Sequence, residues 1–326
     1  MPVAQFVVGL AALLAGARWF VGGVSAIAVA LGVSPLVIGM TVVAFGTSTP
    51  ELVVNLVSAA KGSTGLAFGN IVGACIVNVG FVLGLTSMIK PLRVEPSLIT
   101  QEIPMMIVAA LGLLALGSDS ILDGAPLNEW KRTDGLVLLL FFSVFLYYTT
   151  RQALAARRTD TFIEEVGEQA ERTVPRPLGQ ELGLMLVGLA GVSFGAEWAV
   201  EGAAQLARGY GISEAVIGLT IISLGTTLPE LATCVTAARR GNPDIALGNV
   251  VGSNIFNILC VGGLVSVTRP VPIPAAGGQF DLLVMAILCV VLLPIAIRSG
   301  RMITRGEGFV LFASYVAYLG WRVFLA

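Results

Sequence analysis

Two glutamates stand where an apolar chain has little reason to carry them. Glu51 closes the hexapeptide Gly46-Thr47-Ser48-Thr49-Pro50-Glu51, and Glu230 closes its near-copy Gly225-Thr226-Thr227-Leu228-Pro229-Glu230. Proline brings no N–H to the carbonyl four residues back, and its ring pushes the helix open there. Carbonyls at or next to Gly46-Thr47 and Gly225-Thr226 are thereby freed. Open carbonyls, hydroxyls and one carboxylate per copy make a hard-oxygen cluster, which suits Na⁺ and Ca²⁺ rather than soft metals. Thr47 and Glu51 are four apart, as are Thr226 and Glu230, so each pair is expected on one helical face. A carboxylate at bilayer depth costs at least about 2.5 kcal/mol and marks a functional site by default. No Lys or Arg lies within either hexapeptide, so a bound cation is the expected partner. The hydroxyls of Thr47, Ser48, Thr226 and Thr227 have a second use, back-bonding to the preceding turn, and both uses stay open.

A second polar row follows each hexapeptide. Asn70, Ala74 and Asn78 form the first; Asn249, Ser253 and Asn257 form the second. Four-residue steps put each row on one helical face. Asparagine in lipid is interhelical glue or an ion ligand. Asn78 and Asn257, which follow the glycine-rich turns, are read as ligands, and Asn70 and Asn249 as structural. Gly69-x-x-x-Gly73 and Gly248-x-x-x-Gly252 allow backbones to approach closely.

These residues sit in a chain of 326 residues that is 56% hydrophobic and 12% charged, with a mean hydropathy of +0.90. Such a composition describes an all-α polytopic membrane protein. Ten spans are expected, at roughly 3–31, 33–60, 65–88, 97–117, 133–150, 180–207, 213–238, 244–267, 280–298 and 307–325. Val37–Leu85 aligns with Val216–Leu264 without a gap, about two in five positions being identical, which is an internal repeat. Residues 1–150 form the first five-helix repeat, with its motif at 37–85. Residues 179–326 form the second, with its motif at 216–264, and the polar stretch 151–178 links them. An odd number of spans per half turns the second half over, giving inverted repeats. Basic residues are concentrated on the linker side, making the linker cytoplasmic and both termini extracytoplasmic. The 118–132 loop on the outer side, with Asp119, Asp123 and Glu129, reads as a solvated acidic loop.

Several functions are disfavoured. A net charge of −1 argues against nucleic acid. The absence of histidine removes histidine metal sites and Ser-His-Asp catalysis. No nucleophile–base pair marks an enzyme. Cys75, Cys234, Cys260 and Cys289 lie in apolar runs without CxxC spacing and read as packing residues.

The doubled G-T-[ST]-x-P-E, each copy followed by G-N-[IV]-V-G-x-x-I-x-N, resembles the alpha-repeats of the cation/Ca²⁺ exchanger superfamily. The likeness is to its Na⁺/Ca²⁺ exchanger branch in the compact prokaryotic form, and it covers nearly the whole chain. It implies ten helices around a central diamond of four ion sites in a prokaryotic plasma membrane. It implies alternating-access antiport of Na⁺ against Ca²⁺, with the first helix of each half sliding over the rest. Ca²⁺ would be held by the Glu51 and Glu230 carboxylates and the Thr47 and Thr226 carbonyls. Na⁺ would use the same glutamates with Ser48, Thr227, Ser253 and the carbonyls of Ala44 and Ser223, while Asn78 and Asn257 flank the middle position. Substrates are then Ca²⁺ and Na⁺, with no cofactor and no obligatory protein partner beyond the bilayer. The proton-coupled branch usually has asparagine at the positions of Thr47 and Thr226, which favours Na⁺. H⁺ coupling, exchange of Na⁺ or Li⁺ for another divalent, and a cation channel remain as alternatives. Two departures stand out: Asn257 replaces a frequent aspartate and Ala74 a frequent serine. The missing carboxylate implies coupling looser or lower than three Na⁺ per Ca²⁺, or broadened selectivity.

Overall fold

The computed structural model describes residues 2–122, 124–156, 177–210 and 225–324. They form helices joined by short loops and two small strand pairs. The helices are α1 (Pro2–Leu31), α2 (Pro35–Thr47), α3 (Thr49–Ala60), α4 (Thr64–Ile89), α5 (Leu98–Leu116), α6 (Asp119–Leu122) and α7 (Arg132–Ala156). The remainder are α8 (Leu178–Gly209), α9 (Leu228–Arg239), α10 (Pro243–Thr268), α11 (Gly278–Arg301) and α12 (Arg305–Phe324). Among the described residues seven helices are long and apolar enough to cross a membrane, or eight if α2 and α3, bent by 46°, count as one. The chain is an α-helical polytopic membrane protein. The expected span 213–238 and the expected linker fall partly outside the described residues. Within that linker, α7 continues to Ala156.

Burial ranks the helices. The apolar window is 89% buried in α10 and 72% in α4, against 22% in α7 and 28% in α8. Helices α4 and α10 therefore form the centre, and each contains a π-helical turn, at Asn78–Leu83 and Phe256–Val261. A π turn inserts one extra residue into the ladder and is common at functional sites. Here it begins at or beside the expected ligands Asn78 and Asn257.

Helices α1 and α8 pair along their length, outside this centre. Glycines recur every seven residues on both, at Gly9, Gly16 and Gly23 and at Gly188, Gly195 and Gly202. A Cβ at Gly9 would stand 2.3 Å from Ala199 N, and one at Gly188 would stand 2.3 Å from Phe20 N. Only glycine allows backbones to approach this closely.

The ends are tied by two antiparallel pairs. Leu92–Arg93 (β1) pairs with Met302–Ile303 (β4), and Glu129–Trp130 (β2) pairs with Val271–Pro272 (β3). The 118–132 loop departs from its solvated reading. Asp119 is only 7% exposed. Its carboxylate accepts from Lys131 Nζ at 2.6 Å and from the Glu129 N–H at 3.1 Å. That lysine, and then the Glu129 N–H, hold Asp119 below the ordinary carboxylate range. Asp119, at the start of α6, is tied inward because it bonds the Glu129–Lys131 end of the loop. Asp123 lies outside the described residues.

Candidate cation-binding site

Both hexapeptides break their helix in the same way. Ser48 ends α2 with φ −91° and ψ 5°, and Thr227 precedes α9 with φ −97° and ψ 2°. Pro50 and Pro229 fall in the first turn of the resuming helix, where a missing N–H costs little. The ladder restarts from Leu52 N–H to the Ser48 carbonyl at 3.2 Å, and from Leu231 N–H to the Thr227 carbonyl at 3.0 Å. The glutamates then lie in the first turns of α3 and α9, where the positive end of the helix dipole favours an anion.

The two copies meet. The Ser48 hydroxyl donates to Glu230 Oε1 at 3.2 Å and lies 3.1 Å from Ser253 Oγ. Glu51 is close enough to Glu230 for their carboxylates to repel. Glu51 is 5% exposed and Glu230 2%. One oxygen of each, Glu51 Oε2 and Glu230 Oε2, has no hydrogen-bond partner among the described residues, and neither has Asn78 Oδ1 or Asn257 Oδ1. Buried acceptors are ordinarily paired. Four here are not, two of them on carboxylates.

The remaining expected residues divide. Thr47 is fully buried; its hydroxyl lies 3.1 Å from the Val43 carbonyl and 3.3 Å from Asn249 Oδ1, so it back-bonds. The Ala44 carbonyl accepts from Ser48 N–H at 3.0 Å. Thr227 is buried, but Thr226 is exposed in the turn. Thr226 is thus exposed where Glu230 is buried, so this pair does not share a buried face, whereas Thr47 and Glu51 are both buried across the equivalent break. Ser223 lies outside the described residues. Asn249 is structural, its amide donating to Cys234 Sγ at 3.2 Å. Asn70 is half-buried. A Cβ at Gly252 would stand 2.5 Å from the Met40 carbonyl oxygen, so α10 and α2 touch through their backbones. No described residue comes within 4 Å of the same position at Gly69 or Gly73. All four cysteines are free and buried.

Sequence reasoning missed Asn55 and Asn254. Asn55 is 1% exposed with Oδ1 unpartnered among the described residues. It stands four residues after Glu51, continuing the Thr47-Glu51 stripe, and that spacing was the available signal. Asn254 Nδ2 donates to the Cys75 carbonyl at 3.3 Å, and its Oδ1 accepts from Asn78 Nδ2 at 3.1 Å. It thereby fixes the Asn78 amide through its Nδ2. Nothing in its spacing from the motif announces that role.

The model of the sodium/calcium exchanger protein family matches residues 1–151 and 181–324. The chain belongs to this family. Sodium/calcium exchanger MaX1 of Methanosarcina acetivorans is 32% identical, over 95% of each chain. The inner membrane protein YrbG of Escherichia coli is 31% identical, over 100% of this chain and 98% of its own. CaxA of Alkalimonas amylolytica is 38% identical, over 95% of each. A structure of the sodium-calcium exchanger NCX_Mj superposes with a TM-score of 0.83 at 31% identity, covering 98% of both chains. Membership of this exchanger family makes the protein a transporter rather than an enzyme.

Proposed function

We propose that this exchanger-family protein is a cation/Ca²⁺ antiporter of the prokaryotic plasma membrane, driven by Na⁺ through alternating access. The observation that carries the reading is the contact of Ser48, from the first hexapeptide, with Glu230, from the second, at 3.2 Å. Both acids are buried, and with Asn78 and Asn257 they account for four buried oxygens without partners among the described residues. Glu51 and Glu230 are the charge ligands for either ion. Thr47 and Thr226 carbonyls complete the Ca²⁺ position. Ser48, Thr227, Ser253 and the carbonyls of Ala44 and Ser223 serve Na⁺, and Asn78 and Asn257 flank the middle.

The proposed architecture is ten spans in two inverted repeats, 1–150 and 179–326, with a cytoplasmic 151–178 linker and both termini outside. The swapped pairing of the end strands supports it: β1 and β3 occupy equivalent places in the two halves, yet each pairs with a strand of the other half. The break geometry repeated at Ser48 and Thr227 supports it too.

Coupling follows from charge. Two bare carboxylates cannot cross a low-dielectric interior, because burying unpaired charge costs several kcal/mol per ion. One Ca²⁺ or two Na⁺ neutralises the pair, so the loaded site reorients and the empty one does not. A third Na⁺ would leave one uncompensated positive charge, since Asn257 supplies none to balance it. Coupling is therefore lower or looser than three Na⁺ per Ca²⁺.

The test is uptake of radiolabelled Ca²⁺ into proteoliposomes. Uptake is expected to require an opposing Na⁺ gradient and to vanish in Glu51→Gln and in Glu230→Gln, with both variants still folded. Substantial Na⁺-driven uptake in both variants would remove the assignment. Uptake driven by a pH step without Na⁺ would replace Na⁺ with H⁺, flux without any counter-ion would make the protein a channel, and electrogenic three-to-one exchange would overturn the stoichiometry.

A further inference from the structure

A buried acid outside the central cluster has no place in the exchange chemistry. Glu102 closes the π turn Leu98–Glu102 at the start of α5 and is only 4% exposed. Its carboxylate touches the side chain of Gln152 on α7, and the Glu95 carboxylate faces it. The Gln152 amide N–H donates to Gln101 Oε1. Glu102 Oε2 and Gln152 Oε1 are both buried, and neither has a partner among the described residues. The Gln152 amide can donate to the carboxylate, but these two oxygens are both acceptors and cannot satisfy each other while the carboxylate is ionised.

Open space adjoins this corner on the side of Gln152 and Glu95. A cavity of about 860 Å³ is lined by Glu95, Gln152 and Asp244, with Arg93 and Arg301 on its wall. It reaches Pro35 at the start of α2 and Pro243 at the start of α10, the two helices that lead into the central cluster. Ordered water needs about 30 Å³ each, so a partly hydrated ion fits.

We propose that Glu102, Gln152 and Glu95 form a second cation site, separate from the Glu51–Glu230 pair, that takes a hard, partly hydrated divalent cation. One such ion accepts both unpartnered oxygens at once and removes the repulsion between the two carboxylates. Oxygen donors select Ca²⁺ or Mg²⁺ over soft metals, and a set of few protein oxygens completed by water places affinity near the weak end of such sites, with Kd on the order of 10⁻⁴ to 10⁻³ M. Arg93 and Arg301 keep it from being tighter. The site stands at the end of the molecule where α2 and α10 begin, so an ion held there is concentrated beside both. The inference does not depend on Na⁺ coupling at the central pair.

The test uses the purified full-length chain carrying both Glu51→Gln and Glu230→Gln, which empties the central cluster. Calcium and magnesium are titrated separately by isothermal calorimetry. Saturable binding of one divalent ion per chain is expected, weakened at least about tenfold by adding Glu102→Gln and strengthened about tenfold by Gln152→Glu, which adds a carboxylate. The gain in Gln152→Glu cannot arise from misfolding, so the result stands even where Glu102→Gln folds poorly. Which of the two metals binds identifies the occupant. No saturable binding in the double variant, or binding that neither further substitution changes, would overturn the site; a proton shared between Glu102 and Gln152 gives this outcome. Because the central glutamates are already removed, failure here leaves the central assignment standing, and loss of uptake in Glu51→Gln leaves this site standing.

Discussion

The first and second motifs are built on the same backbone break and lined by different side chains. Ser48 and Thr227 differ by only a few degrees in φ and ψ, and each is followed by a glutamate in the first turn. Around them the equivalent positions have drifted. Asn55 corresponds to Cys234, Ala74 to Ser253 and Cys75 to Asn254. The second copy consequently supplies the connecting hydrogen bonds: Ser253 meets Ser48, Asn249 meets Thr47, and Asn254 orients Asn78. The difference teaches that a duplicated backbone device can be kept while the ligand set becomes unequal. The proline break requires a particular local geometry, whereas a single lining side chain can be exchanged at the cost of one hydrogen bond.

The largest effect should come from the feature that both copies share. Glu51→Gln and Glu230→Gln should each reduce Ca²⁺ uptake to background, because each removes half of the charge that holds the ion; one variant retaining near-normal uptake would show that the copies are unequal even here. Next comes the charge that both copies lack. Asn257→Asp should raise the Hill coefficient for Na⁺ from about 2 toward about 3 and make exchange electrogenic, since a third carboxylate balances a third Na⁺. An unchanged coefficient would separate stoichiometry from charge count.

Smaller effects probe the asymmetry itself. Ser253→Ala should weaken Na⁺ activation about three- to tenfold through loss of one buried hydrogen bond, read from Na⁺ dependence of uptake. Ala74→Ser, which gives the first row the hydroxyl of the second, should change it less, because the parent chain has no hydrogen bond there to lose. Asn254→Cys, which copies the first motif into the second, should weaken Ca²⁺ affinity by a similar factor by releasing Asn78; unaltered affinity would show that Asn78 needs no support. The smallest effect lies at the loop closed by Asp119. Because Lys131 lowers the Asp119 pKa, its stabilisation is present above the unfolded value of about 3.9 and is lost as pH falls through the folded one. Asp119→Asn should therefore lower Tm slightly at neutral pH, and the gap from the parent chain should close in acid.

Much of the site was legible in the sequence because it is carried by local rules. A proline must open its helix, an acid in an apolar run demands compensation, and the repeat announced itself by gapless identity. Thr226 was misplaced because spacing alone does not show what packs over a residue: Thr47, across the equivalent break, is buried against Asn249, while Thr226 is exposed. Asp119 was misread because a loop acid looks solvated until its lysine is seen beside it. Asn254 was invisible because its partners, Cys75 and Asn78, lie on another helix.

The sequence by itself determined that this chain spans a membrane, repeats one motif, and sets an acid behind a proline in each apolar copy, since hydropathy, duplication and proline chemistry act within a few residues. The tertiary structure alone decided that Ser48 reaches Glu230, that Asn254 bonds Asn78, and that Glu102 Oε2 and Gln152 Oε1 are buried without partners among the described residues. Those relations depend on how helices distant in the chain pack side by side, and packing is a property of surfaces in space that residue order does not display.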